Sequence, residues 1–252
     1  MILNVARKEL KSVFASPMGW VILALLMSAF GIFFIHGQNQ YFEVMSGAIR
    51  PAERLGVTSF VCRSVFGIPT YMMLFAIPLL SMRLISEERR SQTITFLFSG
   101  PLSLIEIVVG KFIGLVGFLT ILLVLVGVML STLSFWADID FGYLISNLLG
   151  LWLLVASFSA LGLYFSSLTA QPVVAAIFTF VALVGLMIID FFLTGDDGSV
   201  FRNIANYLSL MRHFQPFARG LIDTADIAYF LLFIVTFLTL TVRRLDADRL
   251  RG

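Results

Sequence analysis

Of the 252 residues, 59% are hydrophobic and only 13% charged, and the formal net charge is +2. An average soluble domain is about half apolar and a quarter charged. The surplus here gathers in runs long enough for a bilayer core of ~30 Å, which takes about 20 helical residues. Composition therefore excludes an ordinary soluble domain and points to an all-α integral membrane protein. The net charge by itself says nothing about nucleic acid, but no basic block long enough to bind it exists, so no nucleic-acid partner is expected. Cys62 is the single cysteine, so no intrachain disulfide can form, and it reads as structural rather than reactive.

Residues 1–17 open the chain with Ile2, Val5, Ala6, Leu10, Val13 and Phe14 on one helical face. Arg7, Lys8, Lys11 and Ser12 fall on the other. This predicts an amphipathic helix in the headgroup layer, ended by Pro17. A signal peptide fits less well, because the charged region is long and no small-residue cleavage site closes the next apolar run. The first span is expected over 18–35, with Trp20 at an aromatic-belt position. A polar loop over 36–63 follows. The second span lies between Arg63 and Arg83, where Pro69 and Pro78 predict kinks rather than breaks.

Residues 83–103 are the one dense run of charge between two apolar segments. Glu87, Glu88, Arg89 and Arg90 stand together, Ser91 and Thr93 follow, and the chain turns apolar through Ile94, Phe96 and Leu97. Gly100 and Pro101 then stop any helix. The bland reading of the charges is a solvated anchor for span two. The apolar run behind them is too short to span and reads better as a helix, over 86–100, made to dock into a protein groove.

Ser103 and Glu106 have capping-box spacing, with Leu102 and Ile107 as a staple, so a helix begins before the membrane proper. It carries Lys111 near the interface and continues uncharged to about residue 135. Gly110, Gly114 and Gly117 give it one flat side for packing against another span or a second copy. The uncharged stretch 141–189 is right for two spans, over 143–165 and 172–192, parted by the polar segment before Pro172. Residues 199–221 form an amphipathic segment too polar to cross. Its Phe201, Tyr207, Met211 and Phe214 are candidates for an external gate, the alternative being a helix resting on the outer leaflet. A short sixth span is expected over 225–242. With the N-terminus inside, eleven Lys and Arg fall in inner segments and six in outer ones, which predicts both termini in the cytoplasm.

No catalytic chemistry emerges. Gly110-Lys111 lacks the glycine and the Ser or Thr of a phosphate-binding loop, since Ile105 and Phe112 stand there. His36 and His213 read as isolated, without ligand-spaced neighbours. The spans offer no buried carboxylate or base for ion coupling or intramembrane catalysis, which points to an external energy source.

In combination, Glu87-Glu88-Arg89-Arg90-Ser91-Gln92-Thr93, Pro101-Leu102-Ser103 and Gly110-Lys111-Phe112 resemble the signature of type-2 ABC export permeases. Ala6 to Leu10, Ala15 to Gly19, His213-Phe214 and Arg219 to Asp223 resemble the gliding-motility, GldF-type branch. The resemblance covers nearly the whole chain. It implies six transmembrane helices, an N-terminal elbow helix, and a cytoplasmic coupling helix between spans two and three that docks a separate ATP-binding subunit. It further implies pairing with a second permease copy, contact with membrane lipid, ATP and Mg²⁺ bound by the partner rather than by this chain, and in the GldF-type branch a GldG-like auxiliary protein. At two positions the chain departs from the family. Gln92 stands where Gly is common, implying a less sharply turned start to the coupling helix. Thr95 stands where Glu is common, leaving residues 87–90 to supply the charge contact. The functional expectation is an ATP-driven export or force-transmitting subunit. The alternative is an anchoring or assembly component that moves no solute.

Overall fold

The computed structural model describes residues 1–46, 56–93, 103–135, 137–193 and 209–250, and side chains of 189–193 fall outside the description. Every regular element among these residues is helical. The helices are α1 (Ile2–Ala15), α2 (Pro17–Met45), α3 (Val57–Phe66), α4 (Ile68–Ser81), α5 (Arg83–Arg90), α6 (Leu104–Ser131), α7 (Phe141–Leu168), α8 (Pro172–Leu193), α9 (Leu210–Ala218) and α10 (Thr224–Arg249). Five segments among the described residues are long and apolar enough to cross a membrane: α2, the run from α3 through α5, α6 with its 3₁₀ extension to Phe135, α7 and α10. The apolar part of α8 described with side chains, Pro172–Ile188, is shorter.

Helix α1 ends where Ser16 turns extended and Pro17 opens α2, as proline at a first helical position allows. Its predicted apolar face is the one turned inward, against α6. Trp20 donates its indole N–H to the Phe14 carbonyl at 2.8 Å and so pins the turn.

Helix α2 runs ten residues beyond the expected end of span one, and α3 is already helical at Val57. The described parts of the predicted loop over 36–63 are therefore mostly helical, with Gly37 packed close to Ser64. Polar side chains do not by themselves end a helix, and a single interior glycine such as Gly37 is tolerated within one. Similarly, α10 continues through Arg243 and Arg244 to Arg249, well past the sixth span expected from its apolar residues.

Span two is broken rather than kinked. Gly67 ends α3 and precedes α4 with ψ −103°, and Pro69 follows inside the first turn of α4. Pro78, by contrast, sits inside α4 without ending it. A second interruption falls at Met82, where no proline stands. There the Ser166 hydroxyl accepts the backbone N–H groups of Ile85 and Ser86, both at 3.1 Å, and donates to the Met82 carbonyl at 2.9 Å. A side chain inserted into a helix ladder displaces the bonds it replaces.

Helix α7 is the centre of the bundle, touching α3, α4, α5, α6, α8, α9 and α10. Its small residues explain this, because Ala156, Ser157, Ser159, Ala160, Gly162, Ser166 and Ser167 are all buried. Small side chains let helix backbones approach closely, which is the main source of helix association where lipid competes for apolar contact. Ser157 and Ser159 satisfy their hydroxyls on the carbonyls one turn back, at 2.9 and 2.7 Å.

The capping box at Ser103 forms as the spacing predicts. The Glu106 N–H donates to Ser103 Oγ at 3.2 Å, and the Ser103 N–H donates to Glu106 Oε2 at 3.0 Å. Leu102 of the expected staple lies outside the described residues.

Candidate functional site at the charged end of the bundle

At one end of the bundle α5 is linked both to α1, through Lys111, and to the end of α10. The predicted docking helix over 86–100 does not form as one piece. Glu87, Glu88, Arg89 and Arg90 extend span two as the last turns of α5, and the helix stops at Ser91. Gln92 then takes φ +56°. This is the left-handed region that glycine enters freely and other residues enter at a cost. The chain turns sharply here, contrary to the expectation drawn from Gln92 replacing a common glycine. Ile94, Phe96 and Leu97 lie outside the described residues.

The four charges divide into two pairs. Glu87 and Arg90 are exposed, as are Ser91 and Thr93. Glu88 and Arg89 turn inward. Glu88 reaches the Lys111 ammonium at 2.7 Å, and Glu9 reaches the same ammonium from α1, also at 2.7 Å. Only 3% of the Lys111 side chain is exposed. One cation therefore holds α1, α5 and α6 together through two charge-assisted hydrogen bonds. Arg89 pairs with Asp248 near the end of α10, and Arg244 approaches the same carboxylate at 3.6 Å. With Ser166 gripping the start of α5, this helix is tied to α1, α6, α7 and α10.

Beside the triad lies a cleft of about 290 Å³ lined by Lys8, Glu9, Ser12, Arg83, Glu87, Glu88 and Lys111, with Met18, Leu79 and Leu80 among its apolar walls. Its cationic and anionic residues balance.

The glycines of α6 face α1. A Cβ on Gly110 would lie 2.6 Å from Val5 Cβ, and one on Gly114 would lie 2.6 Å from Glu9 Cβ and 3.0 Å from the Ala6 carbonyl. Gly117 has more room, with Leu10 at 3.9 Å. Their flat side is thus filled within the chain, by the N-terminal helix rather than by another span. The contact brings Glu9 within reach of Lys111.

At the opposite end, Met211 and Phe214 are buried on α9 with Leu210 and Phe217, against α7, α8 and α10. Tyr143 donates its hydroxyl to the Ala218 carbonyl at 2.7 Å and Ser146 donates to the Phe217 carbonyl at 3.1 Å, so α7 caps the end of α9. Helix α9 is docked on the bundle. Phe201 and Tyr207 lie outside the described residues. His213 is not isolated: its Nδ1 lies 2.6 Å from Asp226 Oδ1, and its ring stacks on Tyr229 at 3.9 Å. Among the described residues, no group of three or more His, Cys, Asp or Glu is arranged to hold a metal ion.

Sequence reasoning missed Glu9, Asp248, Asp226 and Ser166. For Glu9 a signal existed. A lysine inside an apolar helix requires a buried counter-charge, and Glu9 lies on a helix whose apolar face needed a partner. Asp226 and Asp248 carried no local signal.

The profile of the ABC-2 family transporter proteins matches residues 3–250. The chain belongs to that family, whose members are membrane components of ABC transporters. No match to a curated protein is found.

The turn at Gln92 makes one outcome testable. Gln92→Val places a β-branched residue at positive φ and is expected to be less stable than Gln92→Gly by about 1–2 kcal/mol. Thermal unfolding of the purified chain in detergent checks this. Equal midpoints for the two variants would contradict the left-handed turn.

Proposed function

We propose that this chain is the transmembrane subunit of an ATP-driven ABC complex that performs export or mechanical transmission. The observation that carries the reading is α5, a charged helix continuous with span two and tied by ion pairs and hydrogen bonds to four other helices. In this reading a cytoplasmic ATP-binding subunit holds ATP and Mg²⁺. It docks on exposed Glu87, Arg90, Ser91 and Thr93 and on the coupling segment that continues toward residue 100. Glu88 and Arg89 act as inward struts, so movement of the docked segment displaces α1, α6, α7 and α10 together. A force applied to a packed, cross-tied element shifts whole helices rather than deforming one.

The topology that accompanies this reading has six spans: α2, α3 through α5, α6, α7, α8 and α10. Helix α1 is the elbow helix, both termini are cytoplasmic, and α9 closes the outer end. The complex lies in the cell inner membrane and contains a second permease copy. The resemblances at residues 6–10, 15–19 and 213–223 support the GldF-type branch, with its auxiliary protein.

The test is charge exchange at the two exposed docking residues. In the complex purified with its ATP-binding chain, Glu87→Lys with Arg90→Glu is expected to lower permease-stimulated ATP turnover roughly two- to tenfold, the scale of exposed charge contacts. The melting midpoint of the permease should not change. Undiminished turnover would exclude this surface as the docking site. Sealed vesicles containing the active complex then separate export from anchoring, because a component that moves no solute leaves every candidate cargo in place during ATP hydrolysis.

A further inference from the structure

At the end of the bundle opposite the termini, a cleft of about 190 Å³ opens beside the break in span two. It is lined by Arg63, Phe66, Gly67, Thr70, Tyr71 and Asn147, and on the α9 side by Met211, Phe214, Gln215 and Ala218. Among the described residues of this lining, Arg63 is the one that carries a charge. Its guanidinium makes no ion pair or hydrogen bond with the described residues, and the side chains of Tyr71 and Gln215 are likewise unbonded. Complete small-molecule pockets run to about 300–1,000 Å³, so this cleft suits a headgroup rather than a whole ligand.

The rest of such a ligand has a place to lie. Helix α4 leaves the cleft with Ile68, Tyr71, Phe75 and Leu79 exposed at 59, 41, 61 and 41%. Their spacing puts them on one helical face. From Ile68 to Leu79 this stripe is ~16 Å long at 1.5 Å per residue, about half of a ~30 Å hydrocarbon core. Guanidinium matches the planar oxygens of phosphate and carboxylate bidentately.

We propose that the cleft at Arg63 binds the anionic headgroup of a membrane amphiphile whose chain lies along the α4 stripe. This deepens the transport reading by naming a substrate class, and it rests on that reading only for the ligand's fate, not for its binding. A phosphate headgroup and a free phosphate share the chemistry that Arg63 recognises. The apolar stripe is what favours the tethered form.

The experiment uses the full chain in nanodiscs with no ATP-binding subunit, so its failure is separate from failure of the ATP-driven reading. Photoactivatable phosphatidylglycerol and phosphatidylcholine, with the reactive group on the acyl chain, are cross-linked and the labelled peptides mapped. The anionic probe is expected to label 68–79 in preference, and Arg63→Gln to reduce that labelling about tenfold, the scale of a charge-assisted hydrogen bond. Arg63→Lys should restore part of it. Phe75→Ala should lower labelling by both probes without changing their ratio. Equal labelling by the two lipids, or labelling indifferent to Arg63→Gln, would overturn the proposal. Loss of labelling on adding inorganic phosphate would assign the cleft to a free anion instead. Cross-links from 68–79 to a second copy in place of lipid would assign the stripe to a subunit seam.

Discussion

Replacing Lys111 with alanine is expected to destabilise the chain by about 3–5 kcal/mol, the usual cost of removing one partner from a buried ion pair. The substitution strands two carboxylates, Glu9 and Glu88, that now share one ammonium at 2.7 Å each. In a chain of this length the loss corresponds to a fall of roughly 10 °C in melting midpoint. The companion variant Glu9→Gln, Lys111→Met, Glu88→Gln removes the charges together and should recover most of the loss, because an apolar or neutral replacement avoids the desolvation penalty. Thermal unfolding in detergent distinguishes the two. A Lys111→Ala protein that melts like the parent would show that the triad contributes nothing to holding α1 and α5 on α6.

The second large effect is steric. Gly114→Ile should detach α1 from α6, since even the first carbon of a side chain would meet Glu9 Cβ at 2.6 Å and the Ala6 carbonyl at 3.0 Å. Backbone atoms form part of that wall, so rotamer changes cannot relieve the clash. Overpacking of this kind costs about 1–3 kcal/mol or more. The expected readout is faster hydrogen exchange over 2–15, with exchange across α7 unchanged. Protection of α1 retained in the variant would place the contact elsewhere. Because α1 carries Glu9, the variant should also lose part of the Lys111 triad, which makes the two substitutions non-additive.

The two predictions bear on what could be read from the chain alone. Local signals read well. Pro17, the Ser103–Glu106 capping box and the polar break before Pro172 each mark a boundary found in the structure, because each acts on backbone groups within a few residues. Helix ends defined only by a change from apolar to polar residues read poorly. Helices α2 and α10 continue past the apolar stretch, since a polar residue leaves the hydrogen-bond ladder intact. The interruption at Met82 had no local cause to detect, as it comes from Ser166, more than eighty residues away in the chain. Lys111 and its glycines were visible as features, while their partner on α1 was a tertiary fact. The charged run 87–90 was visible as a cluster. Its division into exposed Glu87 and Arg90 and inward Glu88 and Arg89 required the neighbouring helices.

If the inward ties carry work from a docked ATPase into the spans, breaking them without unfolding the chain should separate ATP turnover from movement. The direct measurement is the nucleotide-dependent distance between spin labels at Ala15 and Arg83, which is exposed on α5 outside the docking residues, made on the assembled complex with Cys62 replaced by serine. In the parent, α1 follows α5, so ATP leaves that distance constant while both labels move relative to a third at Ile177 on α8, a helix outside the tied set. In the Glu9→Gln, Lys111→Met, Glu88→Gln protein the Ala15–Arg83 distance should change with ATP, because α5 then moves without α1 while its ties to α7 and α10 remain. A distance that responds to ATP identically in the two proteins would contradict the triad as the transmitting link.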